Sequence, residues 1–537
     1  MKIKSFAKVF AFVLIFCILF CGLNSFLQPV WKTYNNFNTV RGFYEEPENT
    51  IETVFIGASM TANGIIPIEM YETSGICAYN LGTEQQPFFA SYYWTKEAYR
   101  LHSESLKTVM LDISMLRRPY DEAFCHKALD GMKVSKNKFE AMKELEKTTA
   151  KAIARLLPVY SYHDRWESIE KNDFHKYSDE IQTYSRGYHL EFGNLLEEYN
   201  PEDISVPLYR VEPTDKTTTF YPEELEYVYK IVEFCRQEGL QQIFWKSPSA
   251  GNWSSEEAIA MQELADECGV EFVDYNLLPL IDEVGFNGAL DCVDNKHLNY
   301  YGASSLSRHL GEFLVEHCKN NDVRGVDKYS YLDKQLEEYR DAIGRVVNLQ
   351  ANTDVTAYID GVLSSDRYMA FLVLKDSGAK SLTEEQRRYF SSVGLTALAC
   401  LGDHQSYAAV IDSGKIVYEE SGVNYSVEHE GVKEDEFEYK IKSAALPFGN
   451  VASCVLDGEE YALNTRGINI VVYDTERREV VDTTCFDTYK ESERLPVDLE
   501  SELDKLLKTE TPYDIWPDTL KDLYVYNQRC EQRRMAQ

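Results

Sequence analysis

Between residues 53 and 275, short runs of β-branched and aromatic residues alternate with amphipathic helical stretches, and this alternation restricts the folds open to the chain. Strands that are joined through helices pair in parallel, and a parallel sheet needs helices on both of its faces. The predicted strands run from Thr53 to Ile56, Gly75 to Asn80, Lys107 to Ile113, Gln242 to Lys246 and Val270 to Tyr275. The predicted fold class is therefore α/β, with a parallel sheet covered by helices.

The interval between the third and fourth predicted strands is too long for a single crossover, which indicates an insertion. Residues 119–218 are predicted to form a helical cap that is rich in aromatic residues and histidines, among them Tyr160, Trp166 and Tyr188. Such rings could offer stacking faces to sugars, or they could pack the cap onto the sheet. Packing is the commoner role for any one of them, and the sequence leaves both roles open.

The N-terminus carries the pattern of an export signal. Three lysines within the first eight residues precede an apolar run from Val9 to Leu23, which extends weakly to Trp31. The run is short for a spanning helix, so a cleaved signal peptide is the alternative, but no pair of small residues follows at the positions a signal peptidase needs. Residues 1–31 are therefore predicted to be a cytoplasmic stub and transmembrane signal anchor. Because lysines stay on the cytoplasmic side, the body is expected to be extracytoplasmic in a single-pass protein of the cell membrane.

Charge and cysteine usage exclude several classes of partner. The chain has 55 Lys and Arg against 88 Asp and Glu, a net charge of −33, and repulsion from phosphates argues against nucleic acid as a ligand. The cysteines are scattered singly, and the one close pair, Cys17 and Cys21, lies inside the apolar run. The sequence therefore predicts no metal site, no cofactor and no disulfide framework.

The first predicted strand runs into Gly57-Ala58-Ser59, which places Ser59 where a strand turns into a helix. Open α/β sheets bind ligands at this carboxyl edge. A serine hydroxyl acts there as a nucleophile only if a base removes its proton and N–H groups receive the negative charge on the substrate oxygen.

Two downstream segments supply such groups. Asn80-Leu81-Gly82 follows the second strand, where a glycine lets the backbone approach a substrate. Asp294-Asn295-Lys296-His297-Leu298-Asn299 follows the last strand. An acid three residues ahead of a histidine can orient the imidazole, which can then serve as the base.

Taken together, Gly57-Ala58-Ser59, Asn80-Leu81-Gly82 and Asp294 to Asn299 resemble the motif blocks of the SGNH/GDSL hydrolase superfamily. The resemblance is specifically to the membrane-anchored SGNH-like proteins of bacterial cell-envelope and exopolysaccharide modification. The resemblance covers residues 49–319, interrupted by the cap, and implies a flavodoxin-like three-layer fold. It also implies that Ser59 is the nucleophile, His297 the base and Asp294 its orienter, with the N–H groups of Ser59 and Gly82 as oxyanion donors.

The sequence departs from this family at the third strand. The family supplies an asparagine side chain to the oxyanion hole from a Gly-x-Asn block, whereas this strand ends Asp112-Ile113-Ser114. Loss of one such donor costs on the order of 10²-fold in rate, so the domain is either slow, inactive or served by a substitute. The candidate cleft residues are Asn63, Asn80, Ser114, Lys246 and Asn299.

Beyond residue 319 the composition indicates a second folded region. Residues 320–355 are predicted to be a polar helical linker, residues 356–490 a small α+β domain, and residues 491–537 a C-terminal tail. Phe371 to Gly394, Arg466-Gly467-Ile468-Asn469 and Phe486-Asp487-Thr488-Tyr489 resemble the interleukin-like EMT inducer (ILEI, PANDER-like) domain, with its halves in permuted order. The resemblance implies a sugar-binding accessory module, with a structural or protein-contact domain as the alternative.

Two functions follow as hypotheses. The first is an extracytoplasmic, membrane-anchored SGNH-type serine esterase or O-acetyltransferase that acts on acyl groups of a cell-surface polysaccharide, with a membrane acyltransferase as a candidate partner. The alternative is a non-catalytic glycan-binding or scaffold protein of an envelope polysaccharide assembly complex, which the missing third-block asparagine favours.

Overall fold

The computed structural model describes residues 2–27, 42–169, 183–216, 218–433, 437–475, 478–489 and 499–536. The chain divides into two compact units, Met1–Tyr339 with Gln528–Gln537, and Arg340–Asn527. Two helices, Ser330–Gln350 and Asp518–Ala536, cross the boundary between these units.

Among the described residues, the first unit contains five strands that form one parallel sheet in the order β2-β1-β3-β4-β5. The strands are β1 Thr53–Ile56, β2 Ala78–Asn80, β3 Thr108–Asp112, β4 Gln241–Lys246 and β5 Glu271–Asp274. This order reverses direction between β1 and β3, and sheets of this kind bind ligands beyond the carboxyl ends of the strands at that point. The predicted α/β body with a parallel sheet is confirmed.

The register at the reversal point decides which side chains meet there. Ile56 pairs with Leu111, so Gly57 and Asp112 follow side by side at the carboxyl edge. The second strand is shorter than predicted, because Gly75 adopts a left-handed conformation (φ 71°) and ends the preceding helix instead of beginning the strand.

Fourteen of the helices in the described residues begin in the first unit before residue 340. They are α1 Lys2–Leu27, α2 Ser59–Gly64, α3 Pro67–Ser74, α4 Phe88–His102, α5 Glu122–Asp130, α6 Lys136–Glu146, α7 Thr149–Arg155, α8 Pro158–Ser161, α9 Leu195–Glu198, α10 Pro222–Glu238, α11 Ser255–Cys268, α12 Leu280–Val284, α13 Tyr300–His317 and α14 Ser330–Gln350. Helices α2, α3 and α13 pack together, and α4 packs against α10. Short 3-10 segments lie at Ser114–Arg117, His163–Ser168, Thr183–Ser185 and Asp327–Tyr329.

Local sequence signals explain where these helices begin and end. Helix α10 has Pro222 in its first turn and Gly239 in a left-handed conformation (φ 71°) at its end. Helix α11 begins with a capping box, in which Ser254 and Glu257 each accept a hydrogen bond from the backbone of the other.

Residues 119–218, the predicted cap, contain several short helices. Helix α6 ends at Lys147, which has a positive φ of 57°, and Thr148 caps the next helix with its side chain. The aromatic residues of this region divide in their exposure: Tyr188 is buried, whereas Tyr160 and Trp166 are exposed. Residues 170–182 of this predicted cap lie outside the described residues.

The N-terminal segment is one helix, α1, and most of its large apolar side chains between Phe10 and Leu23 are exposed. Within the ranges that the structure describes, no helix has the combination of length and apolar character needed to cross a bilayer. The predicted extension of the anchor to Trp31 lies outside the described residues, and the anchor stays a prediction.

In the described part of the second unit, nine strands form a mixed sheet. The path β12-β11-β10-β6-β13-β14 is joined by β7, which pairs with β6 and β8, and by β9, which pairs with β10. The strands are β6 Tyr368–Asp376, β7 Ser406–Asp412, β8 Lys415–Gly422, β9 Val427–Lys433, β10 Phe437–Ala445, β11 Val451–Leu456, β12 Glu459–Glu460, β13 Gly467–Asp474 and β14 Glu479–Phe486. The helices are α15 Val355–Leu363, α16 Glu384–Val393, α17 Thr396–Ala399, α18 Leu499–Lys508 and α19 Asp518–Ala536. Two further 3-10 segments lie at Leu446–Phe448 and Tyr513–Ile515.

The two short motifs of this unit meet at one end of a hairpin. Strands β13 and β14 pair antiparallel, with Ile468 opposite Phe486. Arg466 then donates two hydrogen bonds to the carboxylate of Asp487, at 2.6 and 3.1 Å. A second sheet-containing part is thus present, while its ILEI-like assignment stays a prediction.

Candidate active site

Ser59 is the first residue of α2, directly beyond the carboxyl end of β1. The turn that leads to it needs a glycine, because a Cβ on Gly57 would lie 2.6 Å from the Cβ of Asp112 on the neighbouring strand. The hydroxyl of Ser59 is therefore presented at the edge of the sheet by a tight strand-to-helix turn.

His297 and Asp294 reach this hydroxyl from the loop before α13. The Nε2 of His297 lies 2.8 Å from the Oγ of Ser59, and its Nδ1 lies 2.8 Å from an oxygen of Asp294. The side chains of His297 and Asp294 are 17% and 36% exposed, so the group is open to solvent on one side. The structure thus brings Ser59, His297 and Asp294 together in the predicted order.

The charge of Asp294 fixes the direction of this hydrogen-bonded chain. Burial raises the pKa of its carboxyl, but hydrogen bonds from the His297 ring and from the backbone N–H groups of His297 and Lys296 outweigh burial and lower the pKa to about 2. An ionised carboxylate only accepts hydrogen bonds, so Nδ1 of His297 carries the proton. The Nε2 lone pair then faces Ser59, which is the arrangement needed to remove a hydroxyl proton.

Gly82 and Asn80 hold the nucleophile helix. A Cβ on Gly82 would lie 2.6 Å from the backbone N of Ala62, so the glycine is needed for close contact with α2. The side chain of Asn80 donates to the carbonyls of Thr61 (2.7 Å) and Ile65 (2.9 Å) at the end of that helix. Its Oδ1 accepts the N–H of Gly82 at 2.9 Å.

Two predicted roles change as a result. In this conformation the N–H of Gly82, predicted as an oxyanion donor, is directed at Asn80. Asn80, predicted to line the cleft, is fully buried. Its side-chain amide donates to a backbone carbonyl and accepts from a backbone N–H.

At the end of β3, Asp112 links the third strand to the nucleophile helix. One carboxylate oxygen accepts the N–H of Ser114 at 2.9 Å, and the other accepts the hydroxyl of Thr61 at 3.3 Å. Ser114 is 7% exposed and begins the 3-10 segment, and Asn63 lies one turn after Ser59 on α2. The one signal for Asp112 in the sequence is that it stands where the third strand departs from the Gly-x-Asn pattern.

Lys246 lies behind the nucleophile helix, and it does not line the open cleft. Its side chain is fully buried, and its Nζ donates to the carbonyl of Ser247 at 2.9 Å and lies 3.6 Å from the sulfur of Met60. Burial lowers the pKa of this ammonium to about 8. Nothing in the spacing of the sequence distinguishes such a buried lysine from one in a surface turn.

Asn299 also differs from its predicted cleft role. It caps helix α13, where its Oδ1 accepts the N–H of Gly302 at 3.1 Å. Its amide donates to the carbonyl of Gly193 at 2.7 Å. These bonds hold the start of α13, which follows the loop that carries His297, against a segment of the predicted cap.

No protein-family model matches the chain, and no curated protein matches it. Among solved structures, the chain is similar to a "putative acylhydrolase" from Bacteroides fragilis, with 11% sequence identity and a TM-score of 0.24. That similarity covers 50% of this chain and 90% of the other. It is also similar to a GDSL-like lipase from Bacteroides thetaiotaomicron, with 9% identity and a TM-score of 0.25, over 53% of this chain and 98% of the other.

Proposed function

We propose that the chain is a serine esterase or O-acyltransferase that uses Ser59 as its nucleophile, His297 as its base and Asp294 as the orienter of His297. The observation that carries this proposal is the unbroken series of 2.8 Å contacts from Asp294 through His297 to Ser59. The carboxyl edge of a parallel sheet, at its reversal point, is also where such chemistry is expected.

The proposed reaction has two halves. The Oγ of Ser59 attacks the carbonyl carbon of an ester while Nε2 of His297 takes its proton. The tetrahedral intermediate collapses to acyl-Ser59, and the leaving alcohol takes the proton back from His297. Water or a sugar hydroxyl then attacks the acyl group by the same steps, which gives hydrolysis or transfer respectively.

The finer proposal is that the acyl groups belong to a cell-surface polysaccharide and that the protein is anchored to the cell membrane with its body outside the cytoplasm. The lysines and the apolar run of the N-terminus support the anchor, as does the exposure of the large apolar side chains of α1. The resemblance of residues 356–490 to a carbohydrate-associated domain supports a glycan substrate. A membrane acyltransferase is the proposed source of acyl groups if the reaction is transfer.

Labelling with a fluorophosphonate probe tests the nucleophile. Such probes react with a serine hydroxyl that a neighbouring base activates. We expect the wild-type protein to label and Ser59→Ala to lose the label, while Ser391→Ala, an exposed serine on α16, labels as the wild type does. Equal labelling of wild type and Ser59→Ala would remove the proposal.

A second function, a non-catalytic glycan-binding or scaffold protein, is favoured by two specific observations. The N–H of Gly82 is directed at Asn80, and the third strand carries no Gly-x-Asn block. This alternative predicts that a cell carrying Ser59→Ala keeps its normal polysaccharide acylation. Loss of acylation in that cell would argue against it.

A further inference from the structure

The last turn of α1 is attached to the predicted cap by two hydrogen bonds. The side-chain oxygen of Asn24 accepts the backbone N–H of Val159 at 2.9 Å, and the carbonyl of Leu27 accepts an N–H of the Arg165 guanidinium at 2.7 Å. Helix α1 also packs against α8 and against the 3-10 segment His163–Ser168, which contain these two partners. The depth at which α1 lies in a bilayer therefore sets the depth of both short elements.

Large exposed side chains lie beside both points of attachment. Tyr160 follows Val159 and is 45% exposed, and Trp166 follows Arg165 and is 65% exposed. Exposed apolar side chains that gather in one stretch of a protein mark a surface for a protein or a membrane. The four large exposed residues of this stretch, here called the apolar patch, are Ile153, Leu157, Tyr160 and Trp166.

The place of the apolar patch relative to α1 favours lipid as its partner. The apolar run of α1 ends at Leu23, and Asn24 follows it directly. With this run in the hydrocarbon layer, the amide of Asn24 and the guanidinium of Arg165 lie at the level of the headgroups, because both groups are costly to bury in hydrocarbon. Tryptophan and tyrosine are enriched at this level, since each has an apolar ring and a polar N–H or O–H group.

The local charge also fits a bilayer surface. The chain as a whole has a net charge of −33, which would be repelled by anionic headgroups. Residues 147–165, in contrast, contain four Lys and Arg against one acidic residue, Asp164. Lys147 and Lys151 of this stretch are exposed. Basic residues beside an apolar anchor are attracted to anionic lipid, so this stretch can approach the membrane where the rest of the chain is repelled.

We propose that the apolar patch binds the bilayer surface, with Tyr160 and Trp166 among the lipid headgroups, and that it fixes the orientation of the cap on the membrane. The inference rests on the membrane anchoring that belongs to the proposed function, and it does not depend on the chemistry of Ser59. A protein held by α1 alone can rotate about that helix. Attachment through α1 and through the apolar patch removes this freedom.

Quenching of tryptophan fluorescence by brominated lipid tests the contact. The full-length protein is reconstituted in phosphatidylcholine and phosphatidylglycerol vesicles, with acyl chains that are either ordinary or brominated near the headgroup. The signal of Trp166 is the difference between wild type and Trp166→Phe. We expect this signal to fall by about twofold or more in brominated vesicles. Trp516→Phe is the matched control, because Trp516 is only 6% exposed and its signal should be equal in both kinds of vesicle.

A second reporter asks whether the contact is specific to the apolar patch. In the Trp166→Phe background, Tyr160→Trp places a new indole within the patch. Tyr221→Trp places one outside it, at a tyrosine that is 40% exposed and whose backbone N–H bonds to Leu116. We expect brominated lipid to quench the first reporter and to leave the second unquenched. Equal quenching of the two reporters would overturn the inference.

Flotation of the vesicles separates failure of the inference from failure of the proposed anchor. A protein that floats with the vesicles while its Trp166 signal is unquenched would overturn the inference and leave the anchor in place. A Trp166 that is shielded from aqueous iodide but unquenched by brominated lipid would also overturn it, because a protein surface then covers the patch. A protein that does not float with the vesicles would overturn both the anchor and the inference, while labelling of Ser59 tests the proposed chemistry independently.

Discussion

Asp294 shows how a single side chain sets the chemistry of its neighbours. Its carboxylate accepts the ring N–H of His297 and two backbone N–H groups of the same loop, all within 2.8 Å. These bonds hold the carboxyl ionised and the imidazole in one tautomer. The effect is local to one short loop, which is why the spacing of Asp294 and His297 in the sequence was enough to predict it.

Asp294→Asn should therefore disable the site without unfolding it. An amide can present its N–H to Nδ1 and favour the wrong tautomer, so we expect fluorophosphonate labelling to fall by about 10³-fold or more. The loss should be the same at any pH near neutrality. The carboxyl of Asp294 in the wild type has a pKa of about 2 and therefore stays ionised over this whole range. The depressed pKa contributes stability that is present above the unfolded value of 3.8 and lost as the pH falls towards 2. Labelling as fast as wild type would show that Asp294 does not orient His297.

Ser59, Asp294 and His297 lie in loops next to strand ends, where order along the chain predicts proximity, and their side chains are in contact. Asp112 and Lys246 could not be assigned in this way. The burial of Lys246 and the hydrogen bonds of Asp112 to Thr61 and Ser114 depend on how the elements pack. This packing leaves no periodic pattern in the sequence. For the same reason Asn80 and Asn299 looked like cleft residues, although their amides bind the backbone of α2 and the loop before α13 respectively.

At the scale of an element, the position of α2 depends on the glycine that packs against it. Gly82→Ala would place a methyl group 2.6 Å from the backbone N of Ala62, and the helix that carries Ser59 would have to move. We expect a loss of about 1 to 3 kcal/mol in the free energy of unfolding and a loss of labelling. Chemical denaturation measures the first effect and probe labelling the second.

The matched control is Gly344→Ala on helix α14, where a Cβ would meet no atom within 4 Å. Alanine has the higher helix propensity, so this variant should be as stable as wild type or more stable by up to about 1 kcal/mol. If both variants behave alike, the close contact at Gly82 does not position the nucleophile helix.

Helix α4 begins at Phe88, and its first turn is capped by a carboxyl from another helix. Glu224 accepts the N–H of Phe88 at 2.8 Å and is fully buried. Burial, with a smaller effect of the charge on Glu223, raises the pKa of Glu224 from its ordinary 4.5 to about 7. Because the folded protein favours the protonated form, stability should fall as the pH rises from 4.5 to 7 and then level off.

Glu224→Gln keeps the acceptor and removes the charge. It should be more stable than wild type at pH values above about 7, by up to on the order of 3 kcal/mol, and similar to wild type near the acid end. Urea denaturation at a series of pH values measures this difference. If the difference in free energy of unfolding between Glu224→Gln and wild type does not depend on pH, the pKa of Glu224 is not raised in the folded state.

The sequence predicts the presence of a strand or helix better than it predicts the residues at which the element begins and ends. The five strands of the first unit were predicted from their β-branched runs, but the second was predicted to begin at Gly75 and begins at Ala78. The boundary between α6 and α7 was not predictable, because Lys147 adopts a positive φ without being glycine or asparagine. Backbone strain of this kind is set by the surrounding packing and has no local signal.

At the scale of the first unit, a buried ion pair joins segments that are distant in the chain. Arg186 is 1% exposed and donates to both oxygens of Glu46, to the carbonyl of Ala78 on β2 and to the side chain of Gln335 on α14. The predicted cap is thereby tied to the segment before β1, to the edge of the sheet and to the helix that leaves this unit. Sequence alone could not pair Arg186 with these residues, since they lie 108 to 149 positions from it along the chain.

Arg186→Met should destabilise the protein strongly, because it leaves the carboxylate of Glu46 buried without its partner. Loss of one member of a buried pair costs about 3 to 5 kcal/mol, whereas replacing both members costs less. We therefore expect Arg186→Met with Glu46→Gln to recover part of the loss in chemical denaturation. A single variant as stable as wild type would show that the pair does not hold these segments together.

At the scale of the whole molecule, the alternation of strands and helices predicts the parallel sheet of the first unit. The division between the units after Tyr339 falls within residues 320–355, which the sequence predicts to be a polar helical linker. The pairing of β10 with β6 was not foreseeable, because those strands are far apart in sequence and pair through two residues of each strand.

The most direct test of the account is to map the labelled residue by mass spectrometry after treatment with a fluorophosphonate. We expect a single adduct on the peptide that contains Ser59, and its loss in His297→Ala, since the hydroxyl then has no base at 2.8 Å. An adduct on another serine, or an undiminished adduct on Ser59 in His297→Ala, would contradict the account.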